Sequence, residues 1–238
     1  MLFRSDRQSQ LTVQLLHEGM ELPAGNCDPL LPDASLCWIG GELIRIGRAQ
    51  FLGNNQYLLT MLQRGCHGTE SAIGAHGPSE AFVFLERDSI IGVDSAFARL
   101  GAGLTIEALG VSDSVPTVAS VQVQGLAIHP FAPVHAAAER LADGGLRLSW
   151  VRRTRIDSGW QDFVDVPMAE GNLQYEIVIL RNGTVVASVN ADSAEMFIMP
   201  MNLTAWGAIS GDQLTFQIAQ IGQYSRSQAL ILHYAVPT

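Results

Sequence analysis

The sequence predicts an all-β protein: a small N-terminal β-rich domain of hairpins over residues 1–128, then a fibronectin type III-like (immunoglobulin-like) β-sandwich over residues 129–238. Three observations predict it. Short apolar runs alternate with period two, 23 glycines and 10 prolines punctuate them, and long amphipathic helices are largely missing.

The first strand pair is Ser35 to Ile39 and Glu42 to Ile46. Gly40-Gly41 between them supplies the positive backbone angles of a tight hairpin. A second hairpin is expected at once, with arms Arg48 to Leu52 and Gln56 to Leu62 joined through Gly53-Asn54-Asn55. Further strands are predicted at Ala81 to Leu85, Leu104 to Leu109 and Ala119 to Val123. The stretches Arg64 to Glu70 and Gly74 to Pro78 are too rich in glycine for a regular element and read as loop.

Prolines interrupt the pattern at Ser112 to Pro116 and again at His129 to Pro133, and the domain boundary is placed near residue 128. Beyond it, Leu146, Leu148 and Trp150 share one face of a strand, and Tyr175, Ile177 and Ile179 repeat the arrangement. Asn182-Gly183 turns the chain into Thr184 to Val189. Glu195 to Met199, Gln213 to Gln220 and Gln228 to Ala235 follow. Pro133 to Leu141 carries helix formers, yet Asp143-Gly144-Gly145 makes a plausible hairpin into Leu146, so Val134 to Arg140 is read as the opening strand. That makes about seven strands, the signature of a two-sheet sandwich.

Composition narrows the function. The 238 residues carry 14 Lys+Arg against 23 Asp+Glu, a formal charge of −9, which excludes a basic nucleic-acid coat by bulk charge. A hydrophobic share of 47% with 16% charged residues belongs to a chain that buries a core. Cys27, Cys37 and Cys66 are too few for a disulfide framework and read as small buried thiols. Arg4, Asp6 and Arg7 stand where a leader would need its apolar run, and no later segment has the length of a membrane span. The expectation is a soluble protein without its own anchor.

Catalytic chemistry finds little footing. No Gly-x-Ser-x-Gly elbow presents a serine, and the six histidines show no triad spacing. Cys66, His67 and His76 contain zinc-ligand types, but adjacent ligands strain a tetrahedral site and a fourth is missing, so no metal is expected. No phosphate loop ends in Lys-Ser or Lys-Thr, and Gly101-Ala102-Gly103 lacks the rest of a dinucleotide fingerprint, so no cofactor is expected either. Asp157, Asp162, Asp165 and Glu170 are near one another in sequence, which is the weakest form of a paired-carboxylate hydrolase site.

Two groups of residues stand out instead. Arg152, Arg153 and Arg155 follow a well-defined strand and form the one conspicuous positive patch, either a solvated sheet edge or a surface for an anionic partner. With Trp160 on the long excursion over 152–172 they make a candidate contact or recognition surface, and Trp160 could stack on a sugar. Arg64, Gly65, Gly68 and Thr69 form a candidate structural motif: the Gly65-to-Thr69 turn fixes a backbone geometry, and Arg64 pairs with a carboxylate or carbonyl across the domain.

Several strings together resemble the C-terminal region of siphophage-like tail-tip hub and host-specificity proteins, including the gene transfer agent type. In the first domain these are Phe3-Arg4-Ser5-Asp6, Gly41-Glu42-Leu43-Ile44, Tyr57-Leu58-Leu59-Thr60 and Leu62-Gln63-Arg64-Gly65-Cys66-His67-Gly68-Thr69. In the second they are Gly125 to Val134, Leu148-Ser149-Trp150-Val151-Arg152-Arg153-Thr154-Arg155-Ile156, and Val166 to Glu170 with Tyr175-Glu176-Ile177.

The resemblance implies a structural virion component at the distal tail tip, made in the cytoplasm of a bacterial host. Its implied partners are other tail proteins, further copies in a homotrimer, and a fibre protein or host receptor. It implies neither nucleic-acid binding nor an integral membrane segment. Hub proteins of this kind are commonly longer, with upstream ring-forming domains, so Met1 is either the start of a small separate tail protein or the edge of a larger one. The rival expectations are a carbohydrate- or receptor-binding module using the 152–172 loop, and a cell-wall hydrolase accessory domain.

Overall fold

The computed structural model describes residues 6–23, 25–26, 34–94, 99–155 and 167–237. The chain divides into two compact units, residues 3–128 and the unit that starts at His129.

In the N-terminal unit, strands β1 (Leu11–Gln14), β2 (Gly25–Asn26), β3 (Leu36–Ile39), β4 (Glu42–Gly53), β5 (Gln56–Gln63) and β6 (Phe82–Leu85) make one antiparallel sheet in the order β1-β5-β4-β3-β6. β4 is three times as long as β3, and β2 pairs with its second half, at Ala49 and Arg48. The core gathers Val13, Leu15, Cys37, Ile39, Ile44, Ile46, Tyr57, Leu59 and Leu62, with Phe82 and Phe84 packed against it.

Three expectations are corrected here. Glu42 to Ile46 and Arg48 to Leu52 are not separate arms but one strand of 12 residues. Gly47 lies where the buried parity changes, from Ile44 and Ile46 to Ala49, and β5 changes parity across from it, from Leu59 to Leu62, with Met61 at φ 55°. A glycine there lets the twist change without a side chain to place, so the pattern breaks while the ladder continues. Second, the glycine-rich stretch after β5 contains two short 3-10 turns, Cys66–Gly68 and Glu70–Ala72. Third, β1 and β2 were not expected, although Leu11, Val13 and Leu15 alternate and the last two are buried.

A separate two-stranded ribbon, β7 (Gly103–Ala108) and β8 (Thr117–Gln122), follows within the same unit and joins neither neighbouring sheet.

The C-terminal unit holds β9 (Val134–Arg140), β10 (Leu146–Val151), β11 (Gln174–Arg181), β12 (Thr184–Ala191), β13 (Glu195–Ile198), β14 (Gln213–Ile221) and β15 (Leu230–Ala235). One sheet runs β13-β10-β9 and the other β12-β11-β14-β15, antiparallel throughout. The first, second and fifth strands thus face the third, fourth, sixth and seventh, which is the strand order of a fibronectin type III sandwich.

Period-two alternation sends Leu146, Leu148 and Trp150 from one sheet, and Tyr175, Ile177, Ile179, Leu214, Phe216 and Ile218 from the other, into one core. Trp150 meets Tyr175 edge-on, ring centroids 5.0 Å apart at 75°. The segment with helix formers is strand β9, because its alternate alanines Ala136 and Ala138 pack on that core. The helix that does form, α1 (Pro200–Ala205), was missed. Six residues are too few for a periodic signal, and it is fixed by Pro200 in its first turn and by Asn202 Oδ1 accepting the Met199 N–H.

Candidate functional site

Among the described residues of the N-terminal unit, a densely connected polar constellation centres on Glu42. The Gly40-Gly41 turn places Glu42 first in β4, on the same side as Ile44 and Ile46, so its carboxylate enters the sheet interior and is fully buried. Antiparallel pairing sets Arg45 opposite Gln63, which brings the residues just after β5 alongside the start of β4. Arg64 Nε donates to Glu42 Oε1 at 2.8 Å and Nη2 to Oε2 at 2.6 Å, a two-pronged contact. The Gly65 N–H donates to the same Oε1 at 2.7 Å. His76 Nε2 reaches Oε2 at 2.7 Å, while its Nδ1 meets Glu80 Oε2 at 2.7 Å.

An imidazole placed between two carboxylates bonds both when both ring nitrogens carry protons. In accord with this, the hydrogen bonds to Glu80 first, and then to Glu42, raise the His76 pKa above its ordinary value. For Glu42, burial alone pushes the carboxyl up. The bonds from Arg64, His76 and Gly65 outweigh it and hold the group below the usual carboxylate range. Arg64 is held further into its charged form by its bonds to Glu42, with Asp6 Oδ2 at 3.9 Å from its Nη1.

The turn that carries Gly65 is pinned twice more. Thr69 Oγ1 accepts the Leu43 N–H at 2.9 Å and donates to Cys66 O at 2.7 Å. Gly68 has φ +85°, and a Cβ there would stand 2.0 Å from the Leu126 carbonyl oxygen. Glycine is required on both counts.

Chemically this is a lock. Four donors converge on Glu42, leaving it no role as an exposed base or nucleophile. Cys37 and Cys66 are buried free thiols, and burial first, then the neighbouring Cys66 and Glu42, pushes Cys37 up to about 12. Among the described residues no group of three or more His, Cys, Asp or Glu could hold a metal ion. The same unit has a groove of about 450 Å³ lined by Leu15, Leu16, Met20, Leu22, Phe82 and Phe84, with Glu21 and Glu86 its charged members.

Arg152, Arg153 and Arg155 each have a described partner within the second unit. Arg152 Nη1 donates to Pro167 O at 3.0 Å, and Arg155 donates through Nε to Glu170 Oε1 at 3.0 Å and through Nη2 to Ala169 O at 3.4 Å. Glu170 is buried and also accepts the Gln223 N–H at 3.1 Å. Arg153 lies 4.6 Å from the centre of the Phe131 ring, within cation–π range. Arg152 and Arg155 thus hold the described residues 167–170. Trp160, Asp157, Asp162, Asp165, Cys27 and the Phe3 to Ser5 string lie outside the described residues. Of the four carboxylates considered for hydrolysis, Glu170 is the described one, and it is tied to Arg155.

Sequence reasoning missed Glu42, His76 and Glu80 as a group. The signal was present for Glu42: a carboxylate on the apolar side of a strand needs a partner when buried.

Fold and site together define an all-β protein in which a six-stranded sheet unit locked by a buried ion-pair cluster precedes a fibronectin type III-like sandwich. Residues 3–83, roughly a third of the chain, match the family model described as Rcc01698-like, C-terminal. No curated protein matches the sequence. Among solved structures, the chain is similar to domains d3–d4 of the rat CD45 extracellular region, with 12% identity, TM-score 0.35, and coverage of 79% of this chain and 93% of that one. It is similar also to a two-domain fibronectin type III segment of chicken tenascin, with 12% identity, TM-score 0.32, and coverage of 84% and 99%. The sandwich assignment stands on strand order rather than on these scores.

Proposed function

We propose that the protein is a structural component of a phage or phage-like tail tip, a baseplate-hub or host-specificity type of protein that contributes assembly contacts. Its partners in this reading are other tail proteins and further copies of itself, with fibre or receptor attachment as a secondary role.

One observation carries the reading. Two of the separate strings that carry the resemblance in the first domain, Gly41 to Ile44 and Leu62 to Thr69, are bonded to each other through Arg64–Glu42, Gly65–Glu42 and Leu43–Thr69. They act as one unit of architecture, and both fall inside the segment matched by the family model. Spaced strings that meet in space and hold a fold are what a shared scaffold retains, whereas a shared active site would present them to a substrate. The arginines proposed for recognition are engaged within their own unit, which favours scaffold over sugar binding.

The test is a cryo-EM reconstruction of intact tailed particles from the source organism, with mass spectrometry of the same purified particles. The expected result is density for both β units at the distal end of the tail. Particles that lack the chain would overturn the proposal.

A further inference from the structure

The β7–β8 ribbon has two unlike sides. Directly opposed residues share a side, so Leu104 with Val121, Ile106 with Ala119 and Ala108 with Thr117 form one, and Thr105 with Ser120 and Glu107 with Val118 form the other. The first is aliphatic. The second is largely polar, and Thr105 and Ser120 approach through their hydroxyls at 3.4 Å.

Every residue of β8 is exposed, as is every residue of β7 except Leu104, which is half-buried. Backbone bonds from Gly101 to Val123 and from Val123 to Ala102 close the base, and Asp113 accepts the Gly110 N–H in the turn. The sequence therefore specifies a hairpin and leaves its aliphatic side in water. Two strands alone are marginal in water, and a contiguous uncovered apolar surface marks a site of association.

Charge and area indicate what covers it. The chain carries −9 overall, yet between Leu100 and Val121 the charged residues are Glu107, on the polar side, and Asp113, bonded in the turn. Like can meet like here without opposing charges. Ile106 and Val121 on the aliphatic side, with Leu109, Val111 and Val115 of the tip, range from 47% exposed at Ile106 and Val121 to wholly exposed at Val111. Together they present on the order of several hundred Å², a large part of the ~800 Å² per partner of a standard stable interface.

We propose that the ribbon is a self-association element, through which copies of this chain meet by its aliphatic side and tip. This rests on the assembly reading above and names the surface that holds the copies together.

The experiment is sedimentation velocity of the full chain over a wide concentration range, comparing wild type with Ile106→Glu on the aliphatic side and Thr105→Glu on the polar side. Circular dichroism and melting check the fold of each. The expected result is that wild type and Thr105→Glu associate alike, while Ile106→Glu stays folded and associates at least tenfold more weakly. A wild type that is monomeric throughout, an Ile106→Glu chain that associates as tightly as wild type, or equal loss in both variants would overturn the ribbon contact. Association retained in Ile106→Glu refutes the ribbon alone, whereas absence of the chain from purified particles refutes the assembly reading whatever the ribbon does.

Discussion

Replacing Arg64 with alanine tests the Glu42 lock most directly. The substitution removes both prongs of the guanidinium contact and leaves Glu42 fully buried, with the Gly65 N–H and His76 as its remaining donors. Breaking a buried ion pair by deleting one partner costs about 3–5 kcal/mol when nothing else compensates. Because two of the four bonds survive, the expected loss is about 2–4 kcal/mol, confined to the N-terminal unit. At about 1.4 kcal/mol per tenfold, that is roughly 30- to 1,000-fold faster opening. Hydrogen exchange followed by mass spectrometry on the full chain reads this locally. Peptides from β3, β4 and β5 should exchange faster by that factor, while peptides from β10, β11 and β14 serve as an internal standard and stay unchanged. Arg64→Lys should fall between, since an ammonium cannot make the two-pronged contact. N-terminal peptides of Arg64→Ala that exchange within twofold of wild type would refute the idea that this pair holds the unit together.

Three further outcomes are expected. His76 has a raised pKa, so its stabilising charge is fully present below its ordinary 6.5 and lost as pH rises through the higher folded value; Glu42 is depressed, so its contribution is present above 4.5 and lost as pH falls through the lower folded value. Thermal melts should therefore show the N-terminal unit weakening on the alkaline side of 6.5, and His76→Gln should flatten that alkaline slope; a slope unchanged by the substitution would contradict the assignment. Gly68→Ala, which meets the Leu126 carbonyl, should cost at least about 2 kcal/mol, against about 1 kcal/mol for Gly41→Ala, which has the same sign of φ but open space around it. Equal losses in denaturant titrations would show that the close approach does not matter. Finally, Cys37 should resist thiol reagents in the native protein at neutral pH and react as the N-terminal unit unfolds, because burial holds its thiol at about 12; labelling of the native chain at the rate of a free thiol would refute this.

Much of the scaffold was legible in the residues. Alternation at Leu146, Leu148 and Trp150 and at Tyr175, Ile177 and Ile179 identified the inward faces of the sandwich, because strand side chains point to opposite sides in turn. Gly40-Gly41 and Asn182-Gly183 marked hairpins because both pairs adopt the positive φ such turns need. These are local constraints, written within a few consecutive residues. The short α1 and the two-residue β2 escaped because neither is long enough to show a period. Gly47 misled because a break in the hydrophobic pattern looks the same whether the strand ends or merely changes its buried side.

From sequence alone, the chain could be read as strands, turns and an Arg64 that needs an acidic or carbonyl partner. The tertiary structure alone decided that the partner is Glu42, that His76 and Glu80 join it, and that Arg155 is tied to the buried Glu170. The physical reason is range. Backbone conformation and side-chain alternation act between neighbours, whereas a buried charge is satisfied by whichever residue the strand register delivers, here one lying 22 positions away.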